Sequence, residues 1–174
     1  MRRILAWGIA GLLGVAVAAG VWVRFLAGGP VGPFPGGALS GRAAETLPDD
    51  WSFANQEDYV TVESRAGRLP YSQGVWFMAY EGRVHLLLPS FFGDGLKSRL
   101  DLDPRVRLRV GDVLYEQRAV LVDDPEILAA MVAPFLVRQM AIEIGGAVRA
   151  APRPPGDVPV ELWIYRLDDP GEAG

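Results

Sequence analysis

The sequence predicts a β-rich α+β protein: a six-stranded antiparallel barrel with flanking helices, preceded by one N-terminal transmembrane helix. Three observations predict it. Ile4 to Val23 is a run of 20 residues without a charge. Beyond residue 48, short β-branched and aromatic runs alternate with turn residues. Only two stretches, 95–100 and 124–144, replace that alternation with helical spacing.

The uncharged run is flanked by Arg2 and Arg3 on one side and Arg24 on the other. At about 1.5 Å per residue it makes a helix of about 30 Å, the thickness of a hydrocarbon core. Trp7 and Trp22 fall near its ends, where indole rings favour the membrane interface. A cleaved signal peptide is the alternative, with Ala16-Val17-Ala18 as small residues at a cleavage point. The run is longer than the usual apolar core of such a peptide, which favours an anchor. The expected localisation is the cell membrane, single-pass through residues 4–23, with the N-terminus inside and the domain extracytoplasmic. From Gly28 to Gly37 the chain reads Gly-Gly-Pro-Val-Gly-Pro-Phe-Pro-Gly-Gly, a linker or a laid-down arm. The division is then anchor 1–27, linker or arm 28–48, and one barrel domain 49–174, whose roughly 120 to 130 residues suffice for a core.

The strands follow in order. Tyr59 to Glu63 is short and β-branched. Gly74 to Tyr80 and Arg83 to Leu88 flank Glu81-Gly82, a two-residue hairpin turn. Arg105 to Val110 alternates strictly with period two, which gives one wet and one buried face. Gly111-Asp112 turns it into Val113 to Val122, and Pro159 to Leu167 supplies the sixth strand. Gly95 to Leu100 reads as a short helix. Asp124 to Ile144 reads as a longer one, with Asp124 as N-cap, Pro125 at the first helical position and a kink at Pro134. Its Met131, Phe135, Met140, Ile142 and Ile144 form a stripe that a helix lying on a barrel needs for packing. Residues 147–157, with Pro152, Pro154 and Pro155, read as a loop.

Composition removes whole classes of chemistry. There is no cysteine, hence no disulfide, thiolate metal site or cysteine nucleophile. The one histidine, His85, excludes a histidine cluster within one chain, and its place in a strand favours a half-buried, hydrogen-bonded ring. Beyond Arg24 there are 14 basic and 21 acidic residues, a formal charge of −7 that argues against a nucleic-acid surface. No phosphate-loop or nucleophile-elbow motif is present. Asp49-Asp50 and Asp123-Asp124 could hold a cation, but each adjoins a turn or helix start where capping explains it.

One ordered series points further. It runs Tyr71-Ser72-Gln73-Gly74-Val75-Trp76-Phe77, then Glu81-Gly82-Arg83-Val84-His85-Leu86-Leu87-Leu88-Pro89-Ser90, then Lys97-Ser98-Arg99-Leu100 and Asp103-Pro104-Arg105-Val106-Arg107-Leu108. The order resembles the split-barrel flavin-binding superfamily of pyridoxamine 5'-phosphate oxidase and its deazaflavin-using relatives. In that family a small-residue lead-in precedes a hairpin, a Ser or Thr ends its second strand, a Lys follows on a short helix, and Asn/Asp-Pro opens the next strand. The likeness covers about Tyr59 to Ala141. It implies a split barrel, a homodimer and FMN or deazaflavin as cofactor. Ser90 and Lys97, with Arg99 beside them, would lie near the phosphate end, and Ser72, Gly74 and Trp76 along the ring system. The hairpin departs from the family in reading Val75-Trp76-Phe77-Met78 and Val84-His85-Leu86-Leu87 where further Arg or Lys is usual. Trp76, Phe91 and Phe92 could stack on a ligand or fill its pocket.

The resemblance leads to the expectation of a membrane-anchored flavin- or deazaflavin-binding protein, an oxidoreductase if the cofactor is bound. The alternative is a non-catalytic, membrane-tethered barrel that binds a protein or an apolar ligand. In that case Lys97 and Arg99 are solvated cations on a helix.

Overall fold

Glu81 and Gly82 adopt φ of 51° and 74°. Two successive positive φ values make the tight turn whose twist matches antiparallel strands. The turn joins β3 (Tyr71–Tyr80) to β4 (Arg83–Pro89), the hairpin on which the rest is built. This computed structural model describes residues 2–32, 34–57, 59–131 and 161–171, of which 2–10, 23–25, 91 and 92 are described in the backbone alone.

β2 (Tyr59–Ser64), β5 (Arg105–Val110), β6 (Val113–Leu121) and β7 (Leu162–Asp168) complete the sheet. Its order is β6-β5-β2-β3-β4-β7, and β6 pairs again with β7, so six antiparallel strands close into a barrel. A two-residue strand, β1 (Arg42–Ala43), adds to the free part of β6 in parallel. Alternation sends Val62, Phe77, Leu86, Leu108 and Leu167 inward, where each is nearly or wholly buried. Each such side chain contributes about 1.5 to 3 kcal/mol over exposure.

Two helices stopper the barrel. α2 (Ser90–Leu100) inserts Leu96 and Leu100 into the core at one end. It starts five residues before Gly95, its expected start. Gly93 hides this from a propensity reading, yet a Cβ there would lie 2.7 Å from the Leu88 Cβ. At the other end the 3-10 turn η1 (Ser52–Gln56) follows Trp51, whose N–H donates to the Gly82 carbonyl at 3.1 Å. The Trp51 ring meets Tyr115 edge-on at 4.8 Å. Asp50 accepts from Ser52 N–H and Oγ at 2.9 and 2.7 Å, so this carboxylate caps a turn. A further helix, α3, starts at Pro125 and is described to residue 131; Asp124 Oδ1 accepts from the Glu126 amide at 2.8 Å as its N-cap. Its expected continuation to Ile144, with Pro134, Phe135, Met140 and Ile142, lies outside the described residues, as does the loop 147–157.

β3 begins at Tyr71, three residues before its expected start, because Ser72 pairs with Glu63 of β2 on one side and with Gly36 on the other. The segment 28–48 lies on the barrel. Gly36 and Ser72 exchange both backbone hydrogen bonds at 2.8 and 3.1 Å. A Cβ at Gly36 would collide with the Gly29 backbone, which fixes glycine there. The Leu39 amide donates to Glu63 Oε2 at 2.6 Å, and Arg109 Nη1 donates to the Gly28 carbonyl at 3.0 Å.

α1 (Arg2–Phe25) precedes this arm. Among the described residues no helix is long and apolar enough to cross a membrane. The described side chains of this helix are 11–22 alone, and all are exposed. The uncharged run extends past them on both sides, so the spanning reading rests on the sequence.

Asp168 ties β4 to β7. Its Oδ1 lies 2.7 Å from Arg166 Nε and from Arg83 Nη1, and its Oδ2 lies 2.7 Å from Arg166 Nη2. The hydrogen bond from Arg166, and then that from Arg83, holds this carboxyl below its usual range against the opposing effect of burial. A depressed carboxyl binds protons more readily in the unfolded chain. Its stabilisation is therefore present above the unfolded value near 4 and is lost as pH falls through the folded value. Asp168→Asn should lower stability at pH 7 by about 1 to 3 kcal/mol, the range for a hydrogen bond to a charged group. Denaturant melts at pH 7 and pH 3 should show the gap from wild type closing at the lower pH.

Candidate functional site

The outer face of the barrel carries the residues of interest. Register places Tyr59 opposite Trp76, Thr61 opposite Gly74 and Glu63 opposite Ser72, with Arg109 and Arg107 beside Thr61 and Glu63 on β5. At the centre is Gly74, where an added Cβ would meet nothing within 4 Å. A strand glycine with open space above it is a place where a flat group can approach the backbone. Tyr59 and Trp76 border this shelf with ring centroids 6.0 Å apart at 33°. The β3–β4 pairing extends to Trp76–Leu87, and β4 runs on through Pro89 into α2. That helix begins without a side-chain cap, and its first amide, that of Ser90, donates to the Glu161 carbonyl at 2.8 Å. The Gly36–Ser72 pair forms the edge on the side of the arm, and the buried Ser72 Oγ has no partner among the described residues.

Ser72, Gly74 and Trp76 thus share one face, with Ser90 at the head of α2. Lys97 and Arg99 lie farther along that helix and diverge. Lys97 Nζ is 2.6 Å from Asp101 Oδ2 and 5.3 Å from the centroid of Trp163. Arg99 Nη1 donates to the Ala66 carbonyl at 2.6 Å, and its guanidinium stacks 4.7 Å from the Tyr71 ring. Residues two apart on a helix do not face each other. Ser90 and Lys97 share a side, separated by about 10 Å of helical rise. Asp101, which holds Lys97, is kept below the usual carboxyl range first by that hydrogen bond. It also accepts from Tyr165 Oη at 3.0 Å, and burial first, then Asp101, pushes the Tyr165 phenol well above its ordinary value.

His85 lies on the same outer face of β4, opposite Met78 and Arg166. It is 2% exposed, more deeply buried than a half-buried strand histidine. Nδ1 lies 3.2 Å from the Arg83 carbonyl, Nε2 has no partner among the described residues, and the Tyr80 ring stands edge-on at 6.0 Å. Burial is the main cause holding its pKa below the ordinary imidazole value. The unfolded chain therefore takes up the proton first, and stability is lost as pH falls from about 6.5 through the folded value. The single imidazole gives one set of ring signals, and their NMR titration should have a midpoint below 6.5.

Sequence reasoning did not single out Tyr59, Thr61, Glu63 or Arg109. The period-two arginines 105, 107 and 109 were the available signal, since they mark one outward row, but not that Arg109 would hold the arm. A groove of about 640 Å³ lies between Leu39 to Leu47 of the arm and Arg107, Leu114 and Glu116 of the barrel. Arg107 and Glu116 pair there at 3.0 Å, so the two charges neutralise each other. We favour the shelf because it combines open backbone over Gly74 with aromatic borders at Tyr59 and Trp76. Among the described residues no group of histidine and carboxylate side chains could hold a metal ion.

The closed strand order defines a six-stranded antiparallel barrel with flanking helices. No family model matches the chain, and no curated protein does. Among the solved structures it resembles are two of pyridoxamine 5'-phosphate oxidase-type proteins and one of a haem storage protein. One is a candidate pyridoxamine 5'-phosphate oxidase from Listeria innocua, with 12% identity and a TM-score of 0.44 over 66% of this chain and 85% of that one. Another is HutZ, a haem storage protein from Vibrio cholerae, with 14% identity and a TM-score of 0.44 over 70% and 87%. A third is a pyridoxamine 5'-phosphate oxidase-related FMN-binding protein from Nostoc punctiforme, with 14% identity and a TM-score of 0.38 over 68% and 73%. Likeness at this level carries no argument about a ligand, and the barrel stands on the strand pairing itself.

Proposed function

We propose that this chain is a membrane-anchored split-barrel protein that binds FMN or a deazaflavin on the outer face of β3. The observation that carries the reading is the open shelf over Gly74, bordered by Tyr59 and Trp76. A planar ring system needs backbone without a side chain and apolar walls beside it, and the residues fit that requirement. Ser72, Gly74 and Trp76 would hold the ring end. Ser90 and the start of α2 would hold the phosphate end, where N–H groups and the helix dipole favour an anion. Lys97 would join them by leaving Asp101, and Arg99 would stay with Ala66 as a brace. A bound flavin would supply hydride or electron chemistry, while the protein supplies position and electrostatics. A homodimer would cover this outer face with a second copy. Ile4 to Val23 would anchor the domain on the extracytoplasmic side.

A second reading is supported by the commitment of both cations, Lys97 to Asp101 and Arg99 to Ala66. Under it the barrel is a non-catalytic tethered module that binds a protein or apolar ligand. Titration of the full chain in detergent with FMN, FAD and a deazaflavin separates the two. Saturable binding in the micromolar range or tighter, weakened by Lys97→Ala, is expected of the cofactor reading. Absence of binding by folded protein leaves the second.

A further inference from the structure

The join between α1 and the barrel has almost no slack. The amides of Leu26 and Ala27 both donate to the Trp22 carbonyl, at 2.8 and 2.9 Å, and Gly28 at φ 67° ends the helix. The Gly28 carbonyl then accepts from Ser40 N–H and from Arg109 Nη1, each at 3.0 Å. Eight residues later Gly36 pairs with Ser72. Between these two attachment points Val31 and Phe34 exchange backbone hydrogen bonds at 3.1 Å and make a turn. The turn presents Val31 and Phe34 to solvent, 38% and 65% exposed, and Leu26, just past the helix end, is 72% exposed. Apolar side chains exposed at the end of an apolar helix and on a braced turn that begins six residues after Phe25 have one chemically matched surface nearby. That surface is the bilayer into which the helix would run.

We propose that Leu26, Val31 and Phe34 form a membrane-docking wedge that seats the barrel on the lipid interface instead of letting it swing on a tether. The wedge rests on the anchor reading above, and its occupant is the acyl and headgroup boundary of the same bilayer. The arm that carries the wedge is held to the barrel at Arg109 of β5 and at Ser72 of β3.

The absence of native cysteine permits a clean test. Full-length chain in phosphatidylcholine liposomes carries one cysteine at a time, at Phe34, Val31, Leu12 or Leu69, labelled with an environment-sensitive fluorophore. Nitroxides fixed at headgroup depth or at the bilayer centre serve as quenchers. The wedge predicts a blue shift and quenching at Phe34→Cys and Val31→Cys, stronger from the shallow nitroxide, with Leu69→Cys unchanged. Quenching at Leu12→Cys alone would overturn the wedge and leave the anchor standing. Silence at all four positions would overturn both.

Discussion

Phe77→Ala should lower the stability of the barrel by about 3 to 5 kcal/mol, the range for removing a buried aromatic side chain. Phe77 is 1% exposed, in the middle of β3, among Val62, Leu86 and Leu108 of the one core cluster. Closed strands cannot move inward to refill the space, so loss of the ring costs a cavity as well as transfer energy. A domain of this size shifts its melting temperature by several degrees per kcal/mol, which places the expected fall at about 12 °C or more. Phe77→Leu keeps most of the volume and should recover more than half. A drop no larger than that of an exposed substitution such as Leu102→Ala would mean that the barrel interior is not the core described.

Glu63→Ala should cost about 2 to 4 kcal/mol, because it leaves a buried donor unpaired and removes a buried charge from its partners. Glu63 is 2% exposed; it accepts from the Leu39 amide at 2.6 Å and lies 3.5 Å from Arg65 and 3.9 Å from Arg107. The residue thus holds the arm to β2. Its loss should raise hydrogen exchange at the Leu39 amide and at Gly36 more than at β4. Glu63→Gln keeps an acceptor for the Leu39 amide and should recover part of the loss. Equal protection of the arm in Glu63→Ala and wild type would show that the clamp is elsewhere.

Glu63 also shows where sequence reading stops. It closes the run Tyr-Val-Thr-Val-Glu and reads as the polar end of a strand, because two of its partners, Leu39 and Arg107, are 24 and 44 positions away. Local alternation does reveal the strands, since period two is written into Arg105 to Val110 and the Glu81-Gly82 turn is set by two residues. Closure of β6 on β7 is not local. It depends on the register of Ala119 with Leu167, which no short pattern encodes. The Pro- and Gly-rich stretch 28–37 shows the same limit. Its composition signals irregular backbone, while its attachment depends on Arg109, more than 70 residues away.

The shelf was half legible. Ser72, Gly74 and Trp76 lie on one face because alternate residues of any strand do, but it was the family resemblance, not spacing, that named them together. Lys97 and Arg99 were grouped on charge, and helical geometry separates them. One points to Asp101 and Trp163, the other to Ala66 and Tyr71. Their commitments depend on the loop at Ala66 and on β7, both remote in sequence.

The account centres on Gly74, and one comparison tests it: the affinity for FMN and for a deazaflavin of residues 28–174, wild type against Gly74→Leu. The fragment begins at Gly28 because the arm belongs to the fold. Added carbon would project into open space, so Gly74→Leu should fold with a melting temperature close to wild type. The prediction is tenfold or greater loss of affinity, about 1.4 kcal/mol or more, for whichever cofactor binds. Unchanged binding by the folded variant would contradict a ring seated on the shelf.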